Sequence, residues 1–183
     1  MPSNNTLLVS PVEYLDGEAA AVVKHEFLNG TVYAMAGGSP RHAEIAINIL
    51  ASFKATLRGT PCRPYNSDVL VHLRHGADER FYYPDVSVVC GPKPVGLTID
   101  APTVIVEVLS PSTERQDRGE KRDAYLRCES LQYYILVHSE RVEVTLHSRA
   151  GAEWQITGFD ETTDILSLPA IGAELSLADI YEE

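Results

Sequence analysis

Apolar positions along this chain change period several times, and each change marks an element. His25-Glu26-Phe27-Leu28-Asn29-Gly30-Thr31-Val32-Tyr33-Ala34-Met35 reads as a hairpin turning on Asn29-Gly30. Glu18 to Glu26, just before it, holds no proline and predicts a short helix or an irregular lead-in. Ile45, Ala46, Ile49, Leu50 and Phe53 recur at helical spacing after Ser39-Pro40, which predicts a helix from about Arg41 to Leu57, ended by Gly59. Three strand patterns follow, at Asp68–Leu73, Arg80–Cys90 and Thr103–Leu109. A second helix fits Asp117 to Cys128, then an aromatic-rich strand fits Gln132 to Val137. Two alternating stretches, Arg141–His147 and Glu153–Phe159, predict a hairpin across Arg149-Ala150-Gly151. The order helix, three strands, helix, strand is that of an α/β sandwich with mixed pairing. Residues 1–183 are expected to form one domain, without repeats or a linker.

Two carboxylates break this pattern. Thr103-Val104-Ile105-Val106-Glu107-Val108-Leu109 is nearly all β-branched or apolar, as in a central strand covered on both faces. Glu107 sits in it, where an unpaired charge costs several kcal/mol of desolvation. In Tyr82-Tyr83-Pro84-Asp85-Val86-Ser87-Val88-Val89, alternation puts Asp85 and Ser87 on one face, and Pro84 removes a ladder donor just before them. If the two strands are neighbours, Asp85 and Glu107 lie side by side, and a divalent cation relieves their repulsion. Oxygen ligands suit Mg²⁺ or Mn²⁺. Either acid alone is equally well explained by an arginine partner or an exposed edge. Downstream, Asp117, Lys121 and Tyr125 share a helix face, with Arg118 and Arg122 as the adjacent stripe. A solvated helix with intrahelical ion pairs accounts for that segment too.

Pro84-Asp85, Glu107-Val108-Leu109-Ser110-Pro111-Ser112-Thr113, Asp117-Arg118-Gly119-Glu120-Lys121 and Tyr125 together resemble the Uma-two family. This is a large bacterial family of restriction-endonuclease-like proteins in the PD-(D/E)XK superfamily. The resemblance extends to Glu26-Phe27-Leu28-Asn29-Gly30, Ser39-Pro40-Arg41-His42 and the Leu175–Ile180 ending. It implies a restriction endonuclease-like core, a mixed central sheet flanked by helices, with an N-terminal hairpin and a C-terminal β-hairpin extension. It also implies that Asp85 and Glu107 are metal ligands, with the Val108 carbonyl a third. The superfamily lysine two residues after the second acid is replaced by Leu109, and Lys121 takes its place from the next helix. Glu26 and His42 are implied to border the pocket. His138 stands where the family usually shows an acid.

The expected activity is hydrolysis of phosphodiester bonds in nucleic acid, DNA first, with Mg²⁺ or Mn²⁺ as cofactor. Asp85, Glu107, Lys121, Glu26 and His42 are the expected catalytic set, and Arg118 and Arg122 the expected phosphate contacts. Alternatives are a binding module on the same fold and a hydrolase of another phosphodiester. The formal charge of −11 argues against a broad nucleic-acid surface and demands local cations instead.

With 44% hydrophobic and 22% charged residues the chain is globular, and it holds no run of roughly 18 apolar residues to cross a membrane. The start of the chain shows no secretory signal. Cys62, Cys90 and Cys128 are odd in number and off metal spacing, which predicts a reduced, cytoplasmic protein. Exposed strand edges are compatible with a homodimer. His72-x-x-His75 lacks further ligands for a metal site, and Trp154 is expected to pack on the sheet rather than stack on a base.

Overall fold

The computed structural model describes residues 8–35 and 37–183. Helix α1 (Pro11–Glu18) opens the described chain. Ser10 Oγ accepts from the Glu13 amide while Glu13 accepts from the Ser10 amide, a closed capping box. The helix therefore ends at Glu18, where the sequence pattern places its start. Strands β1 (His25–Leu28) and β2 (Thr31–Ala34) form the predicted hairpin. Asn29 and Gly30 take positive φ, 49° and 94°, as a two-residue turn of the I′ kind requires. Helix α2 (Pro40–Thr56) is capped by Ser39, whose hydroxyl accepts from the His42 amide at 3.2 Å.

Eleven further strands follow: β3 (Cys62–Asn66), β4 (Leu70–His75), β5 (Asp78–Tyr82), β6 (Val86–Cys90), β7 (Thr98–Ile99), β8 (Val104–Leu109), β9 (Tyr133–His138), β10 (Val144–Ala150), β11 (Glu153–Phe159), β12 (Ile165–Leu168) and β13 (Ala173–Ser176). The main sheet runs β11-β10-β9-β8-β6-β3, with β8 and β9 parallel and the other pairs antiparallel. A second sheet runs β2-β1-β5-β4-β7. The mixed central sheet expected for a restriction endonuclease-like core is thus present, with helices on both faces.

Helix α2 lays Ile45, Ile49 and Phe53 against Val86, Val88, Val104, Val106 and Val108 on one face of the main sheet. A helical segment at 114–126, labelled α3, places Ala124 and Tyr125 against Ile105, Leu109, Tyr134 and Leu136 on the other. This segment also makes the crossover between β8 and β9 that a parallel pair needs. The β12–β13 hairpin and the last helical turn, Leu177–Ile180, close the α2 side of the core with Leu166, Leu168, Leu175 and Ile180.

Two sequence expectations are corrected. The pattern over Arg80–Cys90 is not one strand. It breaks at Tyr83-Pro84-Asp85, so β5 joins the second sheet and β6 the main one. The third core strand is instead β3, hidden by Arg63, Pro64 and Asn66 because it is an edge strand with polar positions facing out. The cysteines are not all reduced: Cys62 and Cys90 face each other in the β3–β6 register and form a disulfide, leaving Cys128 free. Their separation of 28 residues in sequence concealed the pair. No helix among the described residues is long and apolar enough to cross a membrane.

Candidate active site

β6 and β8 pair antiparallel with Val86 opposite Val106, and extending that register by one residue sets Asp85 beside Glu107. Pro84 has no amide hydrogen, so the ladder stops there and Asp85 uses its carboxylate instead. Its Oδ2 accepts from the Val108 amide at 2.7 Å and meets His42 Nε2 at 3.2 Å. His42 comes from the first turn of α2, which delivers an imidazole to the end of the sheet. The hydrogen bond to Asp85 holds the His42 pKa above its ordinary value against the opposing effect of burial.

Glu107 is buried, with 3% of its surface exposed, and its Oε1 has no hydrogen-bond partner. Burial pushes its pKa well above the carboxylate range, Lys121 pulls it back, and Asp117, Asp85 and Glu26 reinforce the rise. Lys121 Nζ lies 2.8 Å from Glu26 Oε1, 3.6 Å from Glu107 Oε1 and 3.7 Å from Asp117 Oδ1. Burial opposes its charge, but the surrounding carboxylates hold its pKa above the usual value. Asp117 and Lys121 begin and end one wide π turn inside α3, and both are buried. Such turns are frequent at functional sites. Burial also raises the pKa of Asp117.

Glu26, Asp85, Glu107 and Asp117 thus bring four carboxyls to one ammonium and one imidazole. Asp85, Glu107, Asp117, Lys121 and His42 line a single cleft of about 510 Å³, into which Lys24 also points. Glu26 stands behind Lys121 and also accepts from the Tyr83 amide at 3.3 Å.

Arg118 and Arg122 are not brought to this cleft. Arg118 is held by Glu114 at 2.8 Å and Glu143 at 2.7 Å, and Arg122 by Asp123 at 2.6 Å. His138 is buried at the end of β9, where its ring meets the Glu140 amide and Arg141. His72 lies between Glu79 and Asp100 and stacks on Phe81. Sequence reasoning put Asp117 on the Lys121 face but did not assign it to the site. The four-residue spacing to Lys121 was its signal.

The Uma2 family model, described as "Putative restriction endonuclease", matches residues 11–179. The chain belongs to the Uma2 family. Two relatives of this Uma2 chain come from Synechocystis sp. (strain ATCC 27184 / PCC 6803 / Kazusa). "Uncharacterized protein slr1290" is 39% identical over 176 residues, covering 94% of this chain and 91% of the relative. "Uncharacterized protein sll1609" is 27% identical over 157 residues, covering 83% and 88%. A crystal structure from Anabaena variabilis ATCC 29413, of "a putative nuclease belonging to DUF820", superposes with a TM-score of 0.76 at 17% identity, over 94% of this chain and 97% of that one. That likeness establishes a shared fold.

Among the described residues, no three His, Cys, Asp or Glu side chains converge closely enough to bind a metal by themselves. A cation between Asp85 and Glu107 therefore needs a backbone carbonyl and water to complete its shell. The unpartnered Glu107 Oε1 and the excess of carboxyls over cations fit such a guest.

Proposed function

We propose that this Uma2 protein is a divalent-metal-dependent endonuclease that hydrolyses phosphodiester bonds in DNA. One observation carries the proposal: Glu107 is buried with an unpartnered oxygen, beside Asp85 and within 3.6 Å of Lys121, in an open cleft. Asp85, Glu107 and the Val108 carbonyl would hold Mg²⁺ or Mn²⁺. When bound, the cation polarises the phosphoryl group and acidifies water.

The chain's own residues do the rest. Lys121 carries a full positive charge close to Glu107, where it orients water or stabilises charge growing on phosphate. Glu26 fixes the Lys121 ammonium by its 2.8 Å contact. His42 and the Val108 amide fix the Asp85 carboxylate, as supporting partners of metal ligands commonly do. Incubation with supercoiled plasmid and Mg²⁺, against an EDTA control, tests this directly. Cleavage that disappears in Asp85→Ala and Glu107→Ala supports the assignment, and cleavage that persists in either overturns it.

A second reading, a binding module without catalysis, is favoured by Lys121 already serving three carboxylates in a chain of net charge −11. Calorimetric titration with Mn²⁺ separates the two. Absence of metal affinity selects the module.

A further inference from the structure

Acidic residues number 26 in 183, yet none occurs from Ile45 to Ser67 or from Val86 to Ile99. These two stretches are neighbours in space. β3 pairs with β6, the Gly91 amide donates to the Pro61 carbonyl at 3.2 Å, and Arg63 donates to the carbonyls of Pro61 and Gly91 at 3.0 Å. Together they carry Lys54, Arg58, Arg63 and Lys93, all exposed. None of the four is in an ion pair among the described residues, whereas Lys24, Arg80, Arg118, Lys121, Arg122, Arg127 and Arg141 all are.

One lysine in the last turn of α2 is explained by the helix dipole. Four unpaired cations at one end of a chain this acidic are not. Glu174 of β13 shares a shallow hollow with Thr56 and tempers the charge there. This end lies at the opposite end of β6 from Asp85. A row on α2 joins the two places: Ala43, Ile47 and Leu50 line the cleft, and Lys54 continues their helical spacing. Ile47 on this row is 62% exposed. From His42 to Lys54 the helix rises about 18 Å, or roughly five nucleotide steps of a DNA strand.

We propose that Lys54, Arg58, Arg63 and Lys93 form a docking surface for the phosphate backbone of duplex DNA whose scissile segment lies in the cleft, with the Ala43–Ile47–Leu50–Lys54 row as the path between them. This rests on the nuclease reading and adds to it where the substrate's charge is met. It also answers how so acidic a protein holds a polyanion: of the seven cations outside ion pairs among the described residues, four lie on these two neighbouring stretches, and Arg74, Arg115 and Arg149 lie elsewhere.

The test compares two variants of equal net charge. Lys54→Gln/Arg58→Gln/Lys93→Gln neutralises the surface, sparing Arg63 because it also holds backbone carbonyls. Arg74→Gln/Arg127→Gln/Arg141→Gln neutralises three cations elsewhere. Fluorescence anisotropy with a ~30-bp duplex in Ca²⁺ measures affinity across a salt series, and each lost phosphate contact should flatten the slope of log K against log salt by about 0.9. The first variant should bind about 10²-fold more weakly near ~0.1 M salt, with a slope shallower by roughly 2 to 3, and the second within about threefold of the unaltered protein. Equal weakening by both variants on this duplex would overturn the proposal while leaving the nuclease reading intact. An unaltered protein that neither binds nor cuts DNA would overturn both.

Discussion

Glu120 and Lys121 are adjacent in the chain yet belong to two very different charge clusters. Glu120 joins Arg80, Asp78 and Arg127. Arg80 pairs with Asp78 at 2.7 Å and also with Glu120, while Arg127 reaches Asp78 at 2.6 Å. Two guanidiniums meet two carboxylates, Asn29 and Tyr82 add hydrogen bonds, and the group is partly hydrated. Lys121 joins Glu26, Glu107 and Asp117, all nearly sealed from solvent, one cation against three acids. Both clusters hold α3 against the strands. Only the second sets three acids against one cation, the imbalance that the proposed cation site calls for and a structural brace does not. Tyr82 stands between them, its hydroxyl on Glu120 and its ring 5.3 Å from Lys121 Nζ.

The sharpest way to break this comparison is Glu107→Gln. The change keeps the shape and removes the buried charge, so the folded protein should melt at the same temperature or higher in the absence of metal. Mg²⁺-dependent cleavage should fall by about 10³-fold or more. Loss of both activity and stability would mean that Glu107 is a brace like Glu120. Lys121→Met comes next. It strands Glu26, Glu107 and Asp117 without their cation and should cost about 3–5 kcal/mol near neutral pH. The sign with pH follows from the raised pKa of Glu107 and Asp117. A carboxyl whose folded pKa exceeds its unfolded value favours folding most at low pH and loses that contribution as pH rises through the folded value. Thermal melts of Lys121→Met should therefore approach the parent protein at about pH 4.5 and fall furthest below it at about pH 8, the unfolded carboxyl titrating near ~4.3.

Much of this cluster was legible in the chain, and what was not has definite causes. Glu107 showed itself as a charge in an otherwise apolar strand, and Asp85 by alternation after Pro84. The Asn29-Gly30 hairpin and the Ser39-Pro40 helix start are governed by local chemistry, and both formed as read. The partition into two sheets was not local. In Arg80–Cys90, Pro84 marks locally where a ladder is interrupted, but only tertiary pairing decides that β5 turns away to β1 and β4. The same is true of the disulfide, which depends on the β3–β6 register. Arg118 and Arg122 illustrate a different gap: helical spacing places them on the outer stripe, but their partners Glu114, Glu143 and Asp123 are what remove them from the cleft. The π turn at Asp117–Lys121 has no sequence signature that periodicity detects, since Asp117 and Lys121 share a face in either winding.

A smaller effect separates the ligand role proposed for Asp85 from the positioning role proposed for His42. His42→Gln preserves a hydrogen-bond donor near Asp85 but loses the imidazole, and should weaken Mn²⁺ binding by about 10- to 100-fold in calorimetry, the usual range for a partner of a metal ligand. Asp85→Asn should abolish that binding. If His42→Gln leaves Mn²⁺ affinity and cleavage unchanged, His42 only caps the end of the sheet.

The smallest expected effect lies in the balanced cluster, and it completes the contrast. Burial pushes the Asp78 carboxyl up, but hydrogen bonds from Arg80, Asn29 and Arg127 outweigh it and bring its pKa down to about 2. A depressed carboxyl stabilises the fold above its unfolded pKa and loses that contribution as pH falls through the folded value, here between about pH 4 and pH 2. Its partners are partly in water, so screening leaves Asp78→Asn costing under about 1 kcal/mol at neutral pH. Melting curves should show that small loss at pH 7, and the gap to the parent protein should close as the pH is lowered towards about 2. Plasmid cleavage should be unaffected, because Asp78 touches neither the cleft nor Lys121. A cleavage defect comparable to that of Glu107→Gln would show that the two clusters work as one, joined through Tyr82 and the Glu120-Lys121 step of α3.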